Sequence, residues 1–233
     1  MTDADTTERE AFILSKGMKF PKDGNFITGQ LRAALRENRY EAKEATCILK
    51  LVRDEDTVME LGAGIGFMST LVATKRNIKS VHAFEANPAL IPYIRSVHAA
   101  NGLTNAHVVH ALLGNAAGSA DFYVRDNLLS SSMEPLDTDT EKSVKKVQVD
   151  VLRAADVFAD IAPTILIADI EGAEASLLPM LDLTGLRGVM IELHPQYIGP
   201  LGVNAVFRAM MDAGLAYYAR GSTQKVVCFR RNW

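Results

Sequence analysis

Acidic residues and one histidine follow short apolar segments of this chain, a pattern suited to acid–base or cation-binding chemistry. Apolar segments of this length are typical of buried strands, and ligands of open α/β sheets bind outside the carboxyl ends of the strands. We expect six such residues, here called the acidic edge, at that end of the sheet: Glu60, Glu85, Asp169, Glu171, Glu192 and His194. No Lys or Arg is expected there. The acidic edge should therefore favour a cationic ligand and repel a phosphate-rich one.

A glycine-rich turn follows the first predicted strand of this pattern and precedes a helix. Its residues are Gly62, Ala63, Gly64, Ile65 and Gly66. Such a turn lets a ligand approach the backbone beside the free N–H groups of the helix. It differs from the dinucleotide pattern G-x-G-x-x-G because Gly66 comes one position early, and the chain has no GxxxxGK[ST] phosphate loop. We predict that Gly62, Ala63, Gly64 and Gly66 bind a nucleoside cofactor.

Glu60, two residues before the turn, indicates which cofactor binds. A carboxylate about 5 Å from a phosphate would cost on the order of 3 kcal/mol at an effective dielectric constant near 20, whereas an ammonium group at that distance would gain a similar amount. Glu60 therefore favours S-adenosylmethionine, whose amino-acid end carries a positive charge. The alternative is that Glu60 pairs with a Lys or Arg of its own chain.

The predicted second and third strands supply the rest of the cofactor site. Glu85 lies 19 residues after Gly66, which is close to the spacing at which an acidic residue meets ribose hydroxyls. We predict that Glu85, Ala86 and Asn87 bind the ribose. Ala111, near the end of the third strand, is expected to line the adenine pocket.

Asp169, Glu171 and His194 are the candidate catalytic residues. A protonated acceptor is a poor nucleophile until its proton leaves, and a positioned base contributes about 10²–10⁴-fold. Histidine has a suitable intrinsic pKa for this role, while Asp169 is placed to face the transferred methyl group or hold the acceptor. The same three residue types could instead bind Mg²⁺ or Ca²⁺, but the prediction includes no metal.

Four further residues near these motifs have open roles. Glu174 is expected to lie at a helix N-terminus, where a carboxylate is favourable. Tyr40, Glu41 and Glu44 belong to a predicted N-terminal helix, which either covers the cofactor or exposes these side chains to solvent.

The segments between these motifs predict an α/β fold with a mostly parallel seven-stranded sheet, helices on both faces and a C-terminal antiparallel hairpin. The seven strands are predicted at 57–61, 80–84, 106–113, 164–168, 188–193, 215–219 and 225–230, and the main helices at 67–75, 88–100 and 203–213. Residues 1–56 are predicted to form an N-terminal helical cap, with a helix near 31–52. Residues 57–233 form the cofactor-binding domain, in which 114–150, with strands at 120–125 and 146–151, is a substrate-side insertion.

Composition excludes several other classes of protein. The 233 residues carry a formal net charge of −3, which argues against binding to nucleic acid mainly through phosphates. There is no run of apolar residues long enough to span a membrane. Cys47 and Cys228 are far apart in the sequence and are expected to be reduced, inert thiols. We therefore predict a cytoplasmic protein with a small-molecule acceptor and no membrane or nucleic-acid partner.

Short motifs along most of the chain resemble the FkbM family of S-adenosylmethionine-dependent methyltransferases. In chain order they are Arg39-Tyr40-Glu41, MELGAGIGF (59–67), AFEANP (83–88), SSSM (130–133), VDVL (149–152), DIEGAE (169–174) and IELHP (191–195). The chain departs from the family at Glu60, where Asp is more frequent, and in 149–152, where Thr usually precedes Leu. The resemblance implies a Rossmann-like class I methyltransferase fold and methyl transfer to a hydroxyl oxygen of a sugar or natural product. A nicotinamide-dependent oxidoreductase and a non-catalytic adenosylmethionine-binding protein remain alternatives.

Overall fold

The structure, a computed structural model, describes residues 11–125 and 144–232. The strands in these ranges are β1 (Phe12–Ser15), β2 (Met18–Pro21), β3 (Thr57–Leu61), β4 (Ser80–Glu85), β5 (Ala106–His110), β6 (Leu112–Gly114), β7 (Gly118–Arg125), β8 (Val144–Arg153), β9 (Ile165–Ala168), β10 (Gly188–Glu192), β11 (Ala216–Tyr217) and β12 (Val226–Arg230). The α-helices are α1 (Gly29–Arg36), α2 (Ala42–Ile48), α3 (Phe67–Lys75), α4 (Leu90–Ala100), α5 (Ala154–Ile161), α6 (Glu174–Leu177) and α7 (Pro195–Asp212). The SSSM motif and residues 1–10 lie outside the described ranges.

A seven-stranded sheet forms the centre of the molecule, with the order β11-β12-β10-β9-β3-β4-β5. Counted in chain order within this sheet, the strands follow the order 3-2-1-4-5-7-6. The pairs from β10 through β5 are parallel, and β12 is antiparallel to both β10 and β11. This arrangement confirms the predicted mostly parallel sheet and its C-terminal antiparallel hairpin.

Helices cover both faces of the central sheet, as buried parallel strands require. One apolar cluster joins α3, α4 and the N-terminal segment to one face, with Val58, Val81 and Ile167 among its strand residues. A second cluster joins α5, α6 and α7 to the other face through Met59, Leu166 and others. All residues of β3 and β9 are buried, which explains why β9 is entirely apolar and β3 is mostly so, with Glu60 as its one charged residue.

The structure corrects three of the predicted elements. The strand predicted at 106–113 ends at His110, because the chain leaves the central sheet at Ala111 and enters another sheet as β6. The helix predicted at 203–213 begins at Pro195 and is kinked at Gly199, whose φ is 60°. The predicted N-terminal helix near 31–52 is two helices, α1 and α2, and the hairpin β1–β2 precedes them.

The predicted insertion at 114–150 contributes to a second, three-stranded sheet. Its order is β6-β8-β7, with β6 parallel and β7 antiparallel to β8. Both predicted strands are present and longer than expected. Phe122 of β7 packs with Val149 of β8 against Ala86, directly after β4, so this sheet is anchored beside the end of a central strand.

Cys47 and Cys228 are both buried free thiols. Although they are far apart in sequence, α2 and β12 bring Cys47 and Cys228 into hydrogen-bonding contact, and burial raises the pKa of each thiol. In the described part of the chain, no helix combines the length and apolar character needed to cross a bilayer.

Candidate functional site

The register of three parallel strands brings the predicted motifs to one edge of the sheet. Leu61 of β3 is level with Ala168 of β9, which in turn is level with Ile191 of β10. The residues that follow are therefore neighbours, and the Asp169 N–H donates a hydrogen bond of 2.9 Å to the Leu61 carbonyl. The glycine turn thus packs directly against the segment that carries Asp169 and Glu171.

A cleft opens at this edge, with a volume of about 960 Å³ that includes solvent at its mouth. Part of its lining is acidic, and part is apolar near Ala86 and Phe122. The lining residues are Tyr40, Glu41, Leu61, Gly62, Gly64, Phe84, Glu85, Ala86, Leu90, Ala111, Leu112, Leu113, Phe122, Asp169, Ile170, Glu171, Ala173 and Leu177. Of the predicted site residues, Gly62, Gly64, Glu85, Ala86, Ala111, Asp169 and Glu171 therefore line the cleft.

The glycine turn approaches the cleft with its backbone, but its first N–H groups are already used. The N–H groups of Gly62 and Ala63 donate to the Phe84 carbonyl at 3.0 and 3.1 Å, and that of Gly64 donates to Glu85 at 2.8 Å. An added Cβ at Gly62 would lie 1.8 Å from the Asp169 carbonyl oxygen. Gly62 is therefore required by the close contact between two loops of the protein.

Four predicted cofactor residues are not in the cleft lining: Glu60, which is described below, and Ala63, Gly66 and Asn87. Ala63 and Asn87 are buried, and Asn87 accepts a hydrogen bond of 3.1 Å from the Ala89 N–H. A Cβ at Gly66 would lie 2.9 Å from the Ile94 side chain. These positions shape the turns and the α3–α4 packing around the cleft.

Glu85 connects the glycine turn to the end of β4. One carboxylate oxygen accepts the Gly64 N–H and the other accepts the Asn87 N–H, each at 2.8 Å. Burial raises the pKa of Glu85, while these backbone hydrogen bonds oppose the shift. A carboxylate oxygen has a second lone pair, so Glu85 is fixed in position and can still accept ribose hydroxyls from the cleft.

Glu60 lies behind the turn and not in the cleft lining. It is 1% exposed, and one of its oxygens, Oε2, has no hydrogen-bond partner. Burial raises the pKa of Glu60 to about 8, partly offset by hydrogen bonds from Ser69. Among the described ion pairs, none joins Glu60 to a Lys or Arg. Glu60 therefore does not line the cleft, whereas a carboxylate outside the predicted site residues does.

That carboxylate is Glu41, whose role the sequence left open. Glu41 lines the cleft, precedes α2 and has a left-handed backbone with φ 43°. Non-glycine residues in this conformation are uncommon and cluster at ligand sites. Burial and the nearby charges of Asp169 and Glu60 raise the pKa of Glu41, while a hydrogen bond from Tyr40 opposes the shift. Glu41 and Asp169 thus line the cleft, and Glu60 is buried close behind them.

His194 lies behind the cleft wall, between three carboxylates. The ring is 3% exposed, and its Nδ1 is 2.5 Å from Oε1 of the fully buried Glu174. Its Nε2 faces Asp169 Oδ1 at 3.6 Å and Glu171 Oε2 at 3.5 Å. Glu174, which the sequence placed simply at a helix N-terminus, therefore orients the imidazole towards the two cleft-lining carboxylates.

Mutual repulsion and burial keep protons in this group. Burial and the charge of Glu192 raise the pKa of Asp169 to about 7, and burial also raises the pKa of Glu171. Burial alone would lower the pKa of His194, but the Glu174 hydrogen bond and the neighbouring carboxylates raise it. Near neutral pH this cluster can therefore both give and accept a proton.

One cation does reach the acidic edge, contrary to the sequence prediction. Lys225 donates to Glu192 at 3.1 Å. It directly precedes β12, and because β12 is antiparallel to β10, its starting end lies at the carboxyl end of β10. Lys225 was missed from the sequence because the acidic edge was predicted from residues that follow strands, whereas Lys225 precedes one.

The strand order and this site define the fold of class I S-adenosylmethionine-dependent methyltransferases. The chain belongs to the methyltransferase FkbM domain family, whose model matches residues 60–212. The resemblance stated from the motifs is therefore confirmed, and with it the methyltransferase class and S-adenosylmethionine as the cofactor.

Solved structures support the fold without fixing the acceptor. The chain is similar to Trm5b from Pyrococcus abyssi, with 12% identity, a TM-score of 0.52, and coverage of 93% of this chain and 54% of that one. It is also similar to a methyltransferase from Pyrococcus furiosus, with 13% identity, a TM-score of 0.50, and coverage of 94% and 91%. The chain thus spans about half the length of Trm5b. No curated protein matches by sequence.

Proposed function

We propose that this chain transfers a methyl group from S-adenosylmethionine to a hydroxyl oxygen of an uncharged small molecule, such as a sugar or a natural product. The observation that carries the proposal is the cluster of Asp169, Glu171 and His194 beside the glycine turn, because a hydroxyl acceptor must lose its proton. The described cleft lining contains no Lys or Arg that would bind an anionic acceptor. A cytoplasmic location belongs to the same proposal.

The cleft's own groups fit the donor. Glu85 is held so that its free lone pairs face a ribose diol, and the apolar surface near Ala86 and Ala111 suits the adenine. At the acidic end, Glu41 takes the ammonium group, and Glu60, once ionised, adds negative charge from behind. S-adenosylmethionine, when bound, supplies a methyl group already activated by the sulfonium.

The chain's contribution to the reaction is alignment and proton transfer. Positioning two reactants can be worth effective molarities of about 10⁵–10⁸ M. Asp169 and Glu171 face the cleft and hold the acceptor hydroxyl. The proton leaves to one of these two carboxylates, whose pKa values are raised, and His194, fixed by Glu174, lies beside them.

Two measurements test this function. Calorimetric titration with S-adenosylhomocysteine should release heat, whereas NADH should not bind; the reverse result would reject the methyltransferase site. A panel of uncharged hydroxyl compounds, incubated with donor and enzyme, should then yield a product heavier by one methyl group. Products methylated only on nitrogen or carbon would reject the acceptor class while leaving the donor site intact.

Donor binding should release about one proton per chain near neutral pH, because a cation favours the ionised form of nearby carboxylates. In the ligand-free protein the pKa of Glu60 is about 8 and that of Asp169 about 7, so both hold protons that the ammonium would displace. The affinity for S-adenosylhomocysteine should therefore rise from about pH 6 to about pH 8. Calorimetry in buffers of different ionisation enthalpy measures the released protons.

Glu41→Gln should weaken this binding and reduce the proton release. Glu44→Gln is the matched control, since Glu44 lies in the next turn of the same segment but does not line the cleft. A binding enthalpy that is the same in every buffer, or an equal effect of the two variants, would contradict the assignment of Glu41.

A further inference from the structure

We propose that Asp169, Glu171 and His194 bind one divalent metal ion of the Mg²⁺ or Mn²⁺ type. One ligand atom from each residue lies within 4.8 Å of the others. The three residues come from the ends of two adjacent parallel strands, β9 and β10, and from the loop after β9. From the residue types alone, metal binding was one alternative among others; the geometry gives three reasons to prefer it.

The first reason is the orientation of His194. Its Nδ1 is paired with Glu174, so in the neutral ring, with the proton on that nitrogen, the Nε2 lone pair is directed at the two carboxylates. A histidine that ligates a metal through one nitrogen usually donates its other N–H to a carboxylate, which fixes the ring. Glu174 is fully buried and supplies that contact here.

The second reason is the spacing of the ligand atoms. Nε2 is 3.6 Å from Asp169 Oδ1 and 3.5 Å from Glu171 Oε2, too far for charge-assisted hydrogen bonds, which are about 2.7–2.9 Å long. In octahedral coordination at about 2.1 Å, neighbouring ligand atoms are about 3 Å apart. A small closure of the two carboxylates would complete one face of such an octahedron.

The third reason is unbalanced charge. Asp169 Oδ1 and Glu174 Oε2 are buried without a hydrogen-bond partner. Lys225 interacts with Glu192 at the exposed side of the group. Oxygen-rich ligands with a single imidazole suit Mg²⁺ or Mn²⁺ better than softer metals.

An ion at this position would lie at the cleft wall that Asp169 and Glu171 form. Three protein ligands leave coordination positions open, and a hydroxyl oxygen of the acceptor can occupy one of them. This use of the ion rests on the proposed function, whereas the binding of the ion does not.

Metal binding can be measured on the full chain without any acceptor. After treatment with a chelator and its removal, Mn²⁺ titration followed by electron paramagnetic resonance should show one bound ion per chain. The echo-modulation spectrum of the bound ion should contain a nitrogen coupling from His194. Asp169→Asn and His194→Gln should each weaken binding at least tenfold, the latter without nitrogen coupling, and Glu174→Gln should weaken it by about 10–100-fold.

Glu192→Gln is the matched control, because it removes a negative charge from the same edge but no ligand atom. It should change Mn²⁺ affinity by less than about threefold. Melting temperatures and S-adenosylhomocysteine affinity establish that each variant is folded. Absence of bound Mn²⁺, absence of nitrogen coupling in the native protein, or equal weakening by Glu192→Gln would overturn the metal site. If methylated product still formed in excess chelator, the ion would have no role in catalysis, and the proposed methyltransferase function would stand.

Discussion

Asp169→Asn should lower kcat by about 10²–10⁴-fold, the range expected when a group that handles the acceptor's proton is removed. The substitution preserves the shape of the side chain and removes its charge. The Asp169 backbone, which contacts Leu61 and Gly62, is unaffected. The affinity for S-adenosylhomocysteine should therefore change by less than about tenfold, since Glu41, Glu60 and Glu85 remain. Single-turnover kinetics and calorimetry measure the two effects separately.

Glu192→Gln provides the comparison for this prediction as well. Glu192 lies near Asp169 at the same edge of the sheet. Removing its charge should shift the pH profile of turnover while keeping kcat within about fivefold. If Asp169→Asn retained native turnover, the proposed catalytic cluster would be wrong. If it lost turnover and S-adenosylhomocysteine binding together, Asp169 would belong to the donor site instead.

Much of the site could be predicted because parallel strands convert sequence order into spatial order. A buried strand such as β9 reads as an uninterrupted apolar run, and the residue after a parallel strand lies at the carboxyl edge of the sheet. Knowing the strand ends was therefore sufficient to bring Gly62, Glu85 and Asp169 to one cleft. It was also sufficient to place His194 near Asp169.

The rest could not be predicted because it depends on side-chain direction, backbone conformation and strand direction, which the order of residue types does not reveal. The side chain of Glu60 lies on the face of β3 that packs against α3. Glu60 therefore lies behind the glycine turn, although it comes only two residues before it. The left-handed backbone of Glu41 has no signature in its residue type, since glutamate rarely adopts that conformation. Lys225 reaches the edge from the start of an antiparallel strand. The chain passes from one sheet to the other at Ala111. The sequence of 106–113 does not reveal this break, because a single strand would fit it equally well.

Gly62→Ala should be the most damaging single substitution in the glycine turn, with a loss of about 3 kcal/mol or more in unfolding free energy. The new Cβ would lie 1.8 Å from the Asp169 carbonyl oxygen, and the residue has φ +85°. Overpacking against fixed backbone costs about 1–3 kcal/mol, and a left-handed conformation adds about 1–2 kcal/mol. Thermal unfolding should therefore show Tm about 10 °C below that of the native protein. Because the clash separates the turn from the Asp169 loop, binding of S-adenosylhomocysteine should also be lost.

Gly102→Ala separates these two causes. Gly102 has a similar φ of +65°, but a Cβ there would meet nothing within 4 Å. Only the conformational cost applies, so Tm should fall by about 4 °C and S-adenosylhomocysteine should bind with native affinity. If both variants lost the same stability, backbone strain alone would explain the glycine at position 62. A difference between them, accompanied by loss of binding only in Gly62→Ala, would establish that the contact between the turn and the Asp169 carbonyl holds the donor site and the catalytic cluster together.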